Sequence, residues 1–129
     1  MKVLDNLYYT KDHEWAKVED GLVRMGITDY AQGELGDIVF VDLSGKGTKV
    51  TKGGSLGTVE SVKAVSEIYS PVDGEIVDYN DALTSAPELV NQDCYGKAWM
   101  VLIRMDDPAQ VSVLMDAKAY EDYVKAEAS

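Results

Sequence analysis

Gly57-Thr58-Val59-Glu60-Ser61-Val62-Lys63-Ala64-Val65-Ser66 is the stretch on which the fold turns. Two strand-forming runs, residues 55–62 and 64–69, flank a single lysine. Gly53-Gly54 precedes the first run, and the turn sequence Pro71-Val72-Asp73-Gly74 follows the second. The pattern predicts strand, turn, strand, with Lys63 at the tip and glycine turns closing both ends. A lysine at a hairpin tip ordinarily serves only solubility. A tight hairpin, however, ordinarily carries Asn-Gly or Asp-Gly at its tip. Here the tip carries Val62, Lys63 and Ala64, which such a turn does not call for. A broken local rule points to a lysine displayed for a purpose.

The chain on either side also reads mainly as strands. Residues 8–10 are short and β-prone. Residues 13–18 alternate loosely around Trp15, and Glu19-Asp20-Gly21 turns the chain back into residues 22–27. Thr28 is suited to cap a short helix over residues 30–35, which Gly36 stops. DIVFVDL at residues 37–43 predicts a mostly buried strand. Residues 44–52 read as a Gly- and Lys-containing loop, 75–79 as a strand, 80–93 as a polar loop with one helical turn, and 99–105 as the last strand. Beyond Asp106-Asp107-Pro108 the spacing becomes helical. Val111, Leu114 and Met115 lead into a second piece in which Ala117, Tyr120, Tyr123 and Val124 share one packing face.

Composition bounds the function. With 129 residues, 46% hydrophobic and 27% charged, one globular domain over residues 1–129 is expected. A domain of this size buries roughly two-thirds of its unfolded surface and needs no staples. Cys94 is the single cysteine and His13 the single histidine, which excludes an internal disulfide and a Cys/His zinc site. Cys94, in a polar loop, reads as an incidental thiol. The Gly53–Gly57 run lacks the Lys-Ser/Thr of a nucleotide loop. No Ser-His-Asp set offers itself, and no apolar run reaches the length of a membrane span. A net charge of −11 disfavours nucleic acid and anionic membranes alike. It suits an acidic carrier, expected to be a monomer, that docks briefly on basic rims. The N-terminus lacks the marks of a secretion signal or a transit peptide, so the cytoplasm is the expected compartment. The mitochondrial matrix would apply to a processed eukaryotic form.

ESVKA followed by SPVDGEI resembles the lysine hairpin of lipoyl and biotinyl carriers. Biotin carriers place methionines beside the lysine, whereas Val62 and Ala64 stand here. His13-Glu14-Trp15, then GITDYAQ at residues 26–32, then LGDIVFVDL at 35–43 resemble the glycine cleavage system H proteins. So do residues 80–83, Leu89-Val90-Asn91, Trp99-Met100 and the helical tail, so that the likeness spans about residues 4–124. It departs from the family at Cys94, where proline is common, and at Ala98, where glycine is common. Both departures concern the loop before the last strand.

The resemblance implies a mainly β fold, the barrel-sandwich hybrid, with a short helix in the N-terminal half and a C-terminal helical segment. It implies no catalysis by the chain itself and lipoate joined covalently to Lys63. It implies that lipoyl-attachment enzymes read Glu60, three residues before the lysine, and Gly74, eleven after it. The implied partners are a PLP-dependent glycine decarboxylase, a tetrahydrofolate-dependent aminomethyltransferase and dihydrolipoyl dehydrogenase, in one-carbon metabolism and glycine catabolism. Glu14 would contact the ammonium of the aminomethyl cargo, with Asp12 and Glu67 close by. A regular strand would put Asp12 and Glu14 on one face, and Glu67 lies on the outgoing arm of the hairpin. An H-like relay that donates lipoyl groups to other enzymes, or serves a sulfur pathway, fits the same motif.

Overall fold

The computed structural model describes residues 1–128, so Ser129 of the expected domain lies outside the described residues. Two antiparallel sheets enclose one large apolar core. The larger is built from β1 (Tyr8–Tyr9), β2 (Glu14–Glu19), β3 (Leu22–Ile27), β5 (Lys49–Val50), β8 (Gly74–Tyr79) and β9 (Val101–Met105). Its strand order is β1-β2-β3-β9-β8-β5. The smaller sheet has the order β4-β6-β7, from β4 (Ile38–Leu43), β6 (Ser55–Ser61) and β7 (Val65–Tyr69). Between them lie Val23, Met25, Val41, Leu56, Val59, Ile68, Ile76, Met100 and Ile103, all nearly or fully buried. Alternation along each strand supplies this inner face, and the apolar area removed from water is the main stabilising term.

The β2–β3 turn is the expected one. Asp20 and Gly21 both have positive φ, 50° and 80°, the geometry that matches the twist of a two-residue hairpin. Thr28 caps α1 (Asp29–Leu35) by accepting from the Ala31 N–H, and Gly36 ends it at φ 83°. Residues 80–93 hold two short helices, α2 (Ala82–Ser85) and α3 (Leu89–Gln92), rather than one turn.

Three further expectations change. The strand read as mostly buried, β4, is an edge strand with one face open, and its Val39 and Phe40 are each 49% exposed. Residues 44–52 contain β5, whose Lys49 and Val50 pair with Glu75 and Gly74. The segment after Pro108 is a 3₁₀ turn, Pro108–Val113, and not an α-helix. Leu114 is already extended, and Met115 exchanges two backbone bonds with Tyr9, at 2.8 and 2.9 Å. That pairing pulls the chain straight before α4 (Ala117–Ala128) begins.

The face of α4 read from the sequence does pack. Ala117, Tyr120 and Val124 join Leu7, Tyr9 and Trp15 in a second apolar cluster. The Tyr9 and Tyr120 rings stack at 4.5 Å. Cys94 is not in an open loop: it is 7% exposed, and its carbonyl accepts the Trp15 indole N–H at 3.0 Å.

Gly74 needs its missing side chain for a different reason than a turn. Its φ is not positive; a β-carbon there would stand 2.2 Å from the Arg104 carbonyl oxygen of β9. Gly74→Ala is therefore expected to cost about 2 kcal/mol, as overpacking against backbone does. Thermal unfolding should show a clear drop in Tm, and an unchanged Tm would refute the clash.

Candidate functional site

Lys63 sits where the sequence places it, exposed at the end of the β6–β7 hairpin. The turn that presents it has no residue of positive φ, which is why it needs neither asparagine nor glycine. Ser61 supplies the missing turn chemistry. Its backbone N–H donates to the Ala64 carbonyl at 2.8 Å, and its hydroxyl oxygen accepts from the N–H groups of Lys63 and Ala64. The Val62 N–H donates to the Asp37 carbonyl at 3.1 Å, tying the tip to the corner between α1 and β4. A β-carbon at Gly36 would stand 3.6 Å from Lys63 Cε, so the lysine stem runs past that corner. Among the described residues the Lys63 ammonium makes no ion pair.

The outer face of the small sheet carries the second group. Phe40, Glu60 and Val65 stand opposite one another across β4, β6 and β7, and all three are exposed. Val39 and Val62 add exposed apolar surface at the same end, Val62 at 70%. In the other row of that face Glu67 pairs across to Thr58, and its carboxylate accepts from the Ser55 hydroxyl.

Glu14 is the residue whose setting the sequence conceals. It is 1% exposed, although it reads as a solvated strand position. Its carboxylate accepts from the Thr10 hydroxyl at 2.7 Å and from the Tyr69 N–H of β7 at 2.9 Å. No cation pairs with it among the described residues. Burial pushes its pKa up to about 7, against these two bonds, and the Asp12 charge adds a little.

Glu14 and Asp12 border a cleft of about 260 Å³. Its walls are the turn Tyr9 to Asp12, the pair Lys52-Gly53, Ser70-Pro71 at the base of the hairpin, and Val113 to Met115. The two acids do not share a strand face as a regular strand would have it. Thr10 to His13 is a turn, His13 has φ 66°, and β2 begins only at Glu14. Asp12 therefore reaches the cleft from the turn. Glu67 does not line it. Gly74 lies in the other sheet, between β5 and β9.

An exposed lysine on a braced hairpin, with a deep carboxylate in a cleft at the hairpin's base, suits a carrier better than a catalyst. The family model for the glycine cleavage H-protein matches residues 7–127. The chain belongs to that family. A glycine cleavage system H protein of Rhodospirillum rubrum is 50% identical over 122 residues, 94% of this chain and 97% of its own. One from Chlorobium limicola is 53% identical over 126 residues, 96% of this chain and 98% of its own. The crystal structure of a glycine cleavage system H protein from Mycobacterium marinum superposes with a TM-score of 0.86 at 35% identity, covering 98% of this chain and all of that one. The mainly β carrier fold expected from the motifs is thus the observed one.

Membership makes the chain a lipoyl carrier of the glycine cleavage system, a carrier protein and not an enzyme, with partner enzymes in that system. The residues present fit such an arm. Lys63 offers an exposed amine on a fixed tip, and the cleft offers the apolar walls of Val113, Leu114 and Met115. Among the described residues no helix is long and apolar enough to cross a membrane, and no cluster of His, Cys, Asp and Glu could hold a metal ion.

Proposed function

We propose that Lys63 carries lipoate and that the chain, as one carrier domain, moves an aminomethyl group from glycine decarboxylase to the folate-dependent aminomethyltransferase. Dihydrolipoyl dehydrogenase then restores the arm. The dithiolane supplies reversible thiol chemistry when attached; the chain's own residues present, shelter and release it. The observation that carries this reading is Lys63 itself, exposed on a turn fixed by Ser61 and Asp37 and without an ion pair among the described residues.

Tethering makes each transfer intramolecular once the carrier docks, so local concentration replaces tight binding. Amide formation removes the lysine charge, which lets an arm lie against the apolar wall of the cleft. Glu14 would supply the fixed counter-charge for the cargo's ammonium in place of water. Asp12 adds negative potential at the cleft mouth. Glu67, on the outer face, would act from the approach to it. The net charge of −11 favours partners with basic rims, and the cytoplasm is the compartment this reading assigns.

Intact mass of the protein made in cells supplied with lipoate tests the proposal. One lipoyl adduct is expected, and an unmodified chain under those conditions would overturn it.

Glu60 is the residue proposed for recognition by the attachment enzymes, because it is exposed one row from the tip. Glu60→Ala should leave the unfolding free energy within about 0.5 kcal/mol of the wild type. It should slow lipoylation about fivefold with limiting ligase, the factor of one exposed charged contact. Equal rates would remove Glu60 from recognition. Gly74→Ala is the weaker test, because its clash alters the fold as well.

A further inference from the structure

Three side chains of the resembling motifs have no role in the carrier chemistry above: Asp29, Gln32 and Asn91. They form one hydrogen-bonded chain. Asp29 Oδ2 accepts from the Lys2 N–H at 2.7 Å, and its Oδ1 accepts from Gln32 Nε2 at 2.8 Å. That bond fixes the Gln32 amide so that its Oε1 faces Asn91. Asn91 Nδ2 donates to Gln32 Oε1 and to the Gly36 carbonyl, both at 2.9 Å. Asn91 Oδ1 accepts from the Ile38 N–H at 2.9 Å. Both donors of this amide are used, and each of its ends faces a group of the opposite kind.

Asn91 thereby grips the backbone on both sides of Asp37. Gly36 is the left-handed end of α1, and Ile38 begins β4, an edge strand whose first residue is 3% exposed. The carbonyl between these two anchors, that of Asp37, accepts the Val62 N–H beside Lys63. Without Asn91 the Gly36 carbonyl and the Ile38 N–H would have to find other partners at a half-buried corner. The corner would then shift, and the Asp37 carbonyl with it.

We propose that Asn91 is a positioning residue for Lys63: it holds the α1–β4 corner so that Asp37 fixes the hairpin tip for the enzymes that modify and read the lysine. The inference rests on the carrier reading, since it assigns a brace to that same site. It locates the brace in α3, 28 residues further along the chain than the lysine it serves.

The test uses the full chain in its unmodified form, with lipoic acid, ATP and a lipoate ligase. Asn91→Leu keeps the branching at Cγ and the number of side-chain heavy atoms and removes all three bonds. Asn91→Asp keeps the acceptor for Ile38 and sets an oxygen against the Gly36 carbonyl. Val124→Ala, a cavity in the distant second cluster, serves as a control for lost stability. Both Asn91 variants should lower kcat/KM for lipoylation about fivefold, the worth of one ordinary hydrogen bond, while Val124→Ala stays at the wild-type rate. Amide exchange gives a readout independent of modification: Val62 should lose protection in the Asn91 variants beyond what Val124→Ala shows. Should Asn91→Leu fail to fold, Asn91→Asp carries both measurements. Lipoylation rates and Val62 protection equal to those of the control would overturn the inference. A wild type left unlabelled by the ligase would instead overturn the carrier reading, and this one with it, whereas Val62 protection alone still reports whether the brace holds the tip.

Discussion

Lys63→Arg should fold like the wild type and gain no lipoyl mass at all. The tip is held by backbone bonds of Val62 and by Ser61, none of which uses the lysine side chain. The ammonium is exposed and makes no ion pair among the described residues, so its replacement changes stability by less than about 0.5 kcal/mol. Arginine keeps the charge but cannot form the stable amide that a lysine amine does. Intact mass and thermal unfolding on the same sample decide the matter. A full adduct on Lys63→Arg would place the arm on another lysine, and a large fall in Tm would make Lys63 part of the fold.

Glu14→Gln should have opposite effects on stability and on cargo. The buried carboxyl titrates near 7 rather than at its ordinary 4.5. A raised carboxyl pKa means that the folded chain holds its proton more tightly than the unfolded one. Stability is then fully present below about pH 4.5 and is lost as pH rises toward 7. At about 1.4 kcal/mol per pH unit, that interval amounts to about 3 kcal/mol. Glutamine keeps the bond from the Tyr69 N–H without the charge, but its amide cannot donate to Thr10, whose hydroxyl oxygen already accepts from the Asp12 and Glu14 N–H groups. Whatever that lost bond costs at every pH, the variant's stability relative to the wild type should rise by about 3 kcal/mol between pH 4.5 and pH 8. Denaturant unfolding at both pH values measures this; a difference independent of pH would show that Glu14 titrates normally.

The same substitution should shorten the lifetime of the loaded arm. A charge-assisted contact is worth about 1.5–3 kcal/mol. Spontaneous release of ammonia and formaldehyde from the purified aminomethylated form, without the transferase, should quicken roughly tenfold or more. Lipoylation itself should be unaffected. Equal decay in the two proteins would remove Glu14 from the site. A residue that weakens the empty carrier while protecting its cargo is a plain case of stability set against function.

The lysine hairpin was legible because both its signals are local: two β-prone runs and a turn between them. The Asp20-Gly21 hairpin and the Thr28 cap were legible for the same reason. What stayed hidden depends on distant backbone. Glu14 is polar, and beside the local Thr10 hydroxyl its buried carboxylate takes a bond from the Tyr69 N–H, 55 residues away, which no local pattern shows. Lys49-Val50 is too short and too charged to show a strand pattern, and its partner β8 decides its state. The 3₁₀ turn was misread because Val111, Leu114 and Met115 keep helical spacing, while pairing with Tyr9 overrides that preference. His13 sits at a left-handed position that favours glycine, and its ring nitrogens face the Tyr120 hydroxyl and Glu127 of α4. Nothing local to the His-Glu-Trp motif announces that partner, and it is why Asp12 leaves the strand face of Glu14. Asn91 was visible as a motif residue, but its use depends on the corner it grips.

Burial of the single cysteine has a redox consequence. A dithiolane is opened by any thiolate that reaches it, and a mixed disulfide would strand the arm on its own carrier. Cys94 is 7% exposed, and burial pushes its pKa up to about 12. At neutral pH only about one molecule in 100,000 would then hold the thiolate that attacks. With lipoate on Lys63 as proposed, the sulfur chemistry of the arm would be kept from short-circuiting through the sulfur in the interior.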